Sequence, residues 1–216
     1  MAQVSYDSLF PQCMMELPGV PVPVLANALN NAAINLCKTA QCWREWQDTV
    51  LVADTATYTP STTGIGVSLV AVLHALVDNV EIIPVTVDQL MLESPTLMNS
   101  AGTPSVFWID ENGDVRVAAT PTTGDAGKVL RLQVVFRPSI GAASCDSRLI
   151  NEYGETLCDG AKYELMRIPN KAWSNPKMAE FYRDEFRRGI DAARIDQSHD
   201  YTTAGISVQR FAFGSR

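Results

Sequence analysis

The stretch AWSNPKMAEFYRDEFRRGIDAARID, residues 172–196, decides how the rest of the chain is read. Asn175 is a strong N-cap residue, and Pro176 suits the first helical position, where no backbone N–H is needed. Beyond it Met178, Phe181, Tyr182, Phe186, Ile190 and Ala193 form one apolar stripe at helical spacing. Arg183, Asp184, Arg187, Arg188, Asp191 and Arg194 take the other side, with Asp184–Arg188 and Arg187–Asp191 as i, i+4 pairs. The pattern predicts a helix from Asn175 to about Ser198, about 36 Å long. Phe181, Tyr182, Phe186 and Ile190 are expected in the core. The charged side is either a solvated face or a face that meets a neighbour.

Immediately upstream, CDSRLINEYGETLCDGAKYELMRIP (Cys145–Pro169) carries Leu149, Ile150, Tyr153, Leu157, Ala161 and Leu165 at spacings typical of a helix. Gly154 and Gly160 weaken it by about 1 kcal/mol each if interior. The two stretches make a helical hairpin joined by the turn NKAWSNP. The N-terminal third is also helical in pattern. Leu9–Leu17 suits a short helix. Val24–Asp48 suits a long one, with Leu25, Leu29, Ala32, Ala33, Leu36 and Cys37 on one face and Trp43 and Trp46 as core residues at i, i+3.

Between these helical thirds the periodicity falls toward two. The runs VSLVAVLHALV and VEIIPVTV flank Asp78-Asn79, and PSVFWID and DVRVAAT flank Glu111-Asn112-Gly113, the second a strong hairpin signal. Lys128–Pro138 alternates well enough for a further strand, and Val87–Ser94 suits one or two helical turns. The expected class is α+β. Residues 1–48 and 140–200 form a helical domain in which the first long helix packs on the last two. Residues 49–139 form an inserted antiparallel β module, and residues 201–216 an extended C-terminal arm. This segment is β-prone, lightly basic and aromatic; it is either a disordered terminus or an arm that docks on a neighbour, with Gln209, Arg210, Phe211, Phe213 and Arg216 as the docking residues.

Composition excludes several functions. The formal net charge of −7 over 216 residues argues against a broad nucleic-acid grip, which needs clustered Lys and Arg. The five cysteines have no C-x-x-C pair, and the two histidines lie far apart, so no zinc pattern forms. Cys37 and Cys42, five apart on the expected helix, should point to different faces. Reduced cysteines used as small apolar residues fit assembly in a cytoplasm. The start MAQVSYDSLF has no basic n-region, so no secretory leader is expected, and Gly66–Val77 is too short to span a membrane. TTGDAGKV lacks the first glycine and the Ser or Thr of a phosphate loop. DENGD has no acidic twelfth position for calcium and is expected to be a hairpin turn. His74 is read as a core or strand-face histidine. No catalytic constellation, cofactor or metal is expected.

Two segments resemble a known family. ALNNAAINLCKTAQCWREWQDTVLVADTATYTP resembles the N-terminal region of head-to-tail adaptor proteins of short-tailed bacteriophages, where a helix with a late WRE segment runs into a strand and a Thr/Tyr-Pro turn. LINEYGETLCDGAKYELMRIPNKAWSNPKMAEFYRDEFRRGIDAARID resembles their C-terminal helix pair. The likeness is to the tail tubular protein A or gatekeeper type. It implies a homo-oligomeric ring of twelve copies at the portal vertex of the virion. That ring joins portal protein to tail nozzle, and double-stranded DNA passes through it without specific binding. It also implies helices side by side around the ring, a β module facing the nozzle and arms reaching the portal. In such a ring the charged helix face of Arg183, Asp184, Arg187, Arg188, Asp191 and Arg194 becomes an inter-subunit surface. The other readings are a tail terminator or minor tail protein, and a hydrolase acting from the β module.

Overall fold

The computed structural model describes residues 3–61 and 66–198. In chain order the elements are β1 (Gln3–Ser5), α1 (Phe10–Met14), α2 (Val22–Ala40), β2 (Arg44–Val50), β3 (Thr57–Tyr58), β4 (Val67–Val77) and β5 (Val80–Pro84). They continue with α3 (Val87–Glu93), β6 (Val106–Ile109), β7 (Val115–Ala118), β8 (Val129–Pro138), β9 (Ser144–Asp146), α4 (Ser147–Met166) and α5 (Pro176–Ser198). The class is α+β, with helices at both ends of the chain and a sheet between them, as the periodicity predicts.

α5 has the expected bounds. The Asn175 side chain accepts from the Met178 N–H, and its own N–H donates to the Met166 carbonyl, which fixes the turn between the two C-terminal helices. α4 and α5 lie against α2. A Cβ built at Gly160 would come 2.8 Å from the Ala32 Cβ and 2.9 Å from the Phe186 ring, so the three helices meet where only hydrogen fits. Buried Asn30 ties this bundle to both its neighbours. It accepts from the Tyr6 hydroxyl at 3.1 Å and donates to the Ser139 carbonyl at 3.0 Å.

α2 stops earlier than its pattern suggests. Gln41 takes a left-handed φ of 52° and donates to the Cys37 carbonyl, which closes the helix. Trp43 and Trp46 are therefore not helical partners. Trp43 is 4 % exposed and packs edge-on against Phe136, with ring centroids 6.0 Å apart. Trp46 is 52 % exposed and not in the core, because β2 alternates and puts Trp46, Asp48 and Val50 on its outer face. Cys42 also lies beyond the helix. It sits close enough to Cys37 for the two thiols to hydrogen-bond, rather than on an opposite face.

The sheet has seven strands in the order β2-β8-β4-β5-β6-β7-β3. Every pairing is antiparallel except β5–β6, so the module is mixed rather than purely antiparallel. A parallel pair needs a crossover, and residues 85–105 supply it through α3. α3 carries a full capping box between Thr86 and Gln89, yet it buries only Leu90 and leaves Met91 and Leu92 exposed. Asp78 and Asn79, at φ 50° and 66°, form the tight turn between β4 and β5. A two-stranded ribbon of β1 and β9 pins the N-terminal segment to the start of α4. Strands β1, β2 and β9 thus fall inside stretches expected to be helical. One contiguous core runs from Tyr6 and Leu29 through Trp43 and Phe136 to Val115.

Candidate functional site

The sequence points to α5 as the functional surface, and the helix has two distinct sides. Ala179, Tyr182, Phe186, Ile190, Ala193 and Gln197 are buried. Phe181 is 51 % exposed and leaves the expected core set, because it stands about 140° round the helix from Phe186. It shares the outward strip with Ile195, which is also exposed, and with Asp184, Arg187, Arg188, Asp191 and Arg194. This strip combines two apolar side chains with alternating charges.

The ion pairs on the strip differ from the i, i+4 scheme. Arg183 pairs with the adjacent Asp184 at 3.1 Å, and Arg188 reaches back to Glu185. Each guanidinium finds its partner within one turn, Arg183 one residue ahead and Arg188 three residues back. Arg187, Asp191 and Arg194 make no ion pair with another described residue. α4 exposes Glu155 and Asn151 on its own outer side, and α2 exposes Asn27, Asn31, Asn35 and Lys38. The three long helices thus present differently charged strips around one bundle.

A polar cluster that the sequence did not signal clearly lies under the strip. Lys162 is buried on α4, donates to Glu16 Oε1 at 2.8 Å, and lies 4.7 Å from the centre of the Tyr182 ring. The Tyr182 hydroxyl donates to the other Glu16 oxygen. Lys162 and Tyr182 together hold the Glu16 carboxyl below its ordinary range. Asp159, one turn back from Lys162, is pushed up to about 6 by burial, with Lys162 pulling against that shift. A lysine in phase with Cys158 and Leu165 on an otherwise apolar stripe is the sequence signal for this cluster.

The β module holds polar clamps of another kind. Asp125 accepts from the hydroxyls of Thr103 and Thr122, the Thr122 N–H and the Lys128 ammonium. These donors, Lys128 first, hold its carboxyl far below the ordinary range. Asp110 accepts from Asn112, Asp114 and Arg116 across the Gly113 turn, so DENGD is a hairpin turn. His74 stands exposed on β4, 2.8 Å from Glu81. Among the described residues, no group of His, Cys, Asp or Glu is placed to hold a metal ion, and no helix is long and apolar enough to cross a membrane. The expected docking residues Gln209, Arg210, Phe211, Phe213 and Arg216 lie outside the described residues.

The model of a family described as SU10 adaptor protein matches residues 5–209, which takes in both helical thirds and the whole sheet. The chain belongs to the SU10 adaptor protein family. No curated protein matches it. Membership makes this SU10 adaptor protein a phage structural adaptor, a virion component that associates with other virion components. The α–β–α order and the two-sided α5 are therefore features of an adaptor of this family.

Proposed function

We propose that this adaptor forms a homo-oligomeric ring, of twelve copies, that joins the portal to the tail nozzle at the head–tail interface, in the manner of tail tubular protein A and gatekeeper adaptors. The ring forms part of the DNA channel for genome retention and ejection. The chain acts by binding and carries no catalytic step. The single observation that carries the ring is α5. One side completes the core, while Phe181, Ile195, Arg187, Asp191 and Arg194 face outward without an ion-pair partner among the described residues. In a ring of side-by-side helices that strip meets the adjacent copy, where opposite charges fix register and the apolar pair is buried. The β module points to the nozzle, and Gln209, Arg210, Phe211, Phe213 and Arg216 contact the portal. The acidic balance of the chain lets phosphate slide rather than stick.

Electron microscopy of the purified chain mixed with portal tests this. Ring-on-ring particles are expected. A chain that stays monomeric with portal at micromolar concentration overturns it. Tagged virions bearing the label at the distal tail would make the chain a tail component instead.

A further inference from the structure

β2 is an edge strand, and its outer edge has a definite chemistry. The Phe136 N–H donates to the Trp43 carbonyl and the Leu51 N–H to the Lys128 carbonyl, so the odd-numbered residues of this run turn their backbone groups toward β8. The N–H and C=O groups of Trp46, Asp48 and Val50 therefore face away, and no strand pairs with them among the described residues. The side chains of these three residues are exposed too. A flat edge bearing Trp and Val is a place where chains add strands, and folded proteins cover such edges.

The last described turn of the chain lies at this edge. The Arg44 guanidinium, on the first residue of β2, donates to the Gln197 carbonyl at 3.2 Å, so α5 ends beside the start of the strand. Residues 199–216 follow. Six of them, 199–204, reach about 20 Å when extended, and the length of β2 is about 23 Å. We propose that residues 205–213 of the same chain dock along the outer edge of β2 as an added parallel strand. In the register that sets Arg210 beside Asp48, Val208 falls beside Trp46 and Ala212 beside Val50. Apolar then meets apolar twice, and the one charge meets its opposite. Asp48 already takes the two-pronged contact from Arg131 at 2.7 and 2.8 Å, and a carboxylate has lone pairs left for a second guanidinium. Phe211 falls on the opposite face, over a hollow of about 270 Å³ lined by Gln47, Tyr58, Thr59, Pro60 and Leu132. The Gln47 side chain bonds both the N–H and the carbonyl of Ser61 there, which holds that wall in place. The docking concerns the free chain and stands apart from the portal contact.

Amide exchange on the full chain without portal tests it, residue by residue at Trp46, Asp48 and Val50. In this register the N–H groups of Gln209, Phe211 and Phe213 face β2, so these three β2 amides should exchange at least about tenfold more slowly than in the full-length variant Gln209→Pro, which removes a strand donor. Equal rates in the two chains overturn the proposal. Protection that falls on dilution also overturns it, since the strand would then come from a second copy. Unchanged protection along α5 shows that the variant keeps its fold. If Gln209→Pro disturbs α5, Arg210→Glu takes its place, and it too should speed the same three amides. Unchanged rates there overturn the docking.

Discussion

In the bundle, α2, α4 and α5 come so close at Gly160 that a methyl group there would meet Ala32 and Phe186. In the sheet, β2 lies on β8 through an unbroken antiparallel ladder from Arg44–Val135 to Val50–Val129, with an exposed two-pronged ion pair between Asp48 and Arg131 across it. The bundle is held by shape, and its strongest polar group, Lys162, is buried under it. The sheet is held by backbone ladders and by carboxylate clamps at its turns, Asp125 and Asp110. The contrast teaches where each half is vulnerable. Volume changes should hurt the bundle most, and charge changes should separate the two halves by the sign of their pH dependence.

The largest expected effect is Phe186→Ala. It empties the meeting point of the three helices and should lower unfolding free energy by about 3–5 kcal/mol in denaturant titration. Because one core runs through both halves, helix ellipticity and Trp fluorescence should report a single coincident transition in this variant. Two separate transitions would show the halves to be independent domains. Gly160→Ala should be next. The added methyl overpacks the contact at a cost of about 1–3 kcal/mol, which exceeds the gain of about 1 kcal/mol in helix propensity. A neutral or stabilised variant would show that α4 slides easily against α2.

Charge sharpens the comparison further. Burial raises the Asp159 carboxyl to about 6, above the ordinary carboxylate range, so the folded state prefers it protonated. Its contribution is present below about pH 4 and is lost as pH rises through 6. Asp159→Asn should therefore add about 1 kcal/mol at pH 7 and little at pH 4, with the half-exposed site discounted for solvent screening. Asp125 has the opposite sign. Its carboxyl is depressed, so its contribution is present at neutral pH and fades only as pH falls below the ordinary range. In urea titrations the Asp159→Asn difference should change between about pH 4 and 6, whereas the Asp125→Asn difference should stay level across that window and shrink only below about pH 4. The smallest effect on the chain itself is Phe181→Ala, under about 0.5 kcal/mol, because the ring is exposed. If ring assembly also stays intact in that variant, the outward strip of α5 is not the surface between copies.

These contrasts also explain what could be read in advance. α5 was legible to its caps because Asn175, Pro176 and the stripe from Tyr182 to Ala193 are local signals. The Asp78-Asn79 and Asn112-Gly113 turns were legible for the same reason, since each demands a left-handed backbone. Phe181 misled because it sits next to Tyr182, and adjacent residues differ by about 100° on a helix. Trp46 misled because a spacing of three fits a helix, while β2 follows Asp48 and Val50 at a spacing of two. The parallel β5–β6 pair and the Glu16–Lys162–Tyr182 cluster depend on partners far along the chain; the misplaced-looking Lys162 marks the cluster locally, but no local pattern encodes its partners. Of the candidate surface, the charges of α5 were visible, but their pairing was not. Arg188 chooses Glu185 through side-chain reach, which spacing alone does not rank.

The crossover from β5 to β6 has one more consequence. Strands β5 and β6 meet through only two residue pairs, Ile83–Val106 and Pro84–Phe107, and the link between them touches the core through Leu90 alone within α3. Register is set at the two ends of the link, not along it. Its exposed stretch around residues 93–96, away from the bonds that Ser100, Gly102 and Thr103 make with Thr120 and Asp125, can therefore lengthen, shorten or accept a foreign peptide with little cost to the sheet. This crossover is where one adaptor scaffold has room to diversify, and it is a practical place for a label.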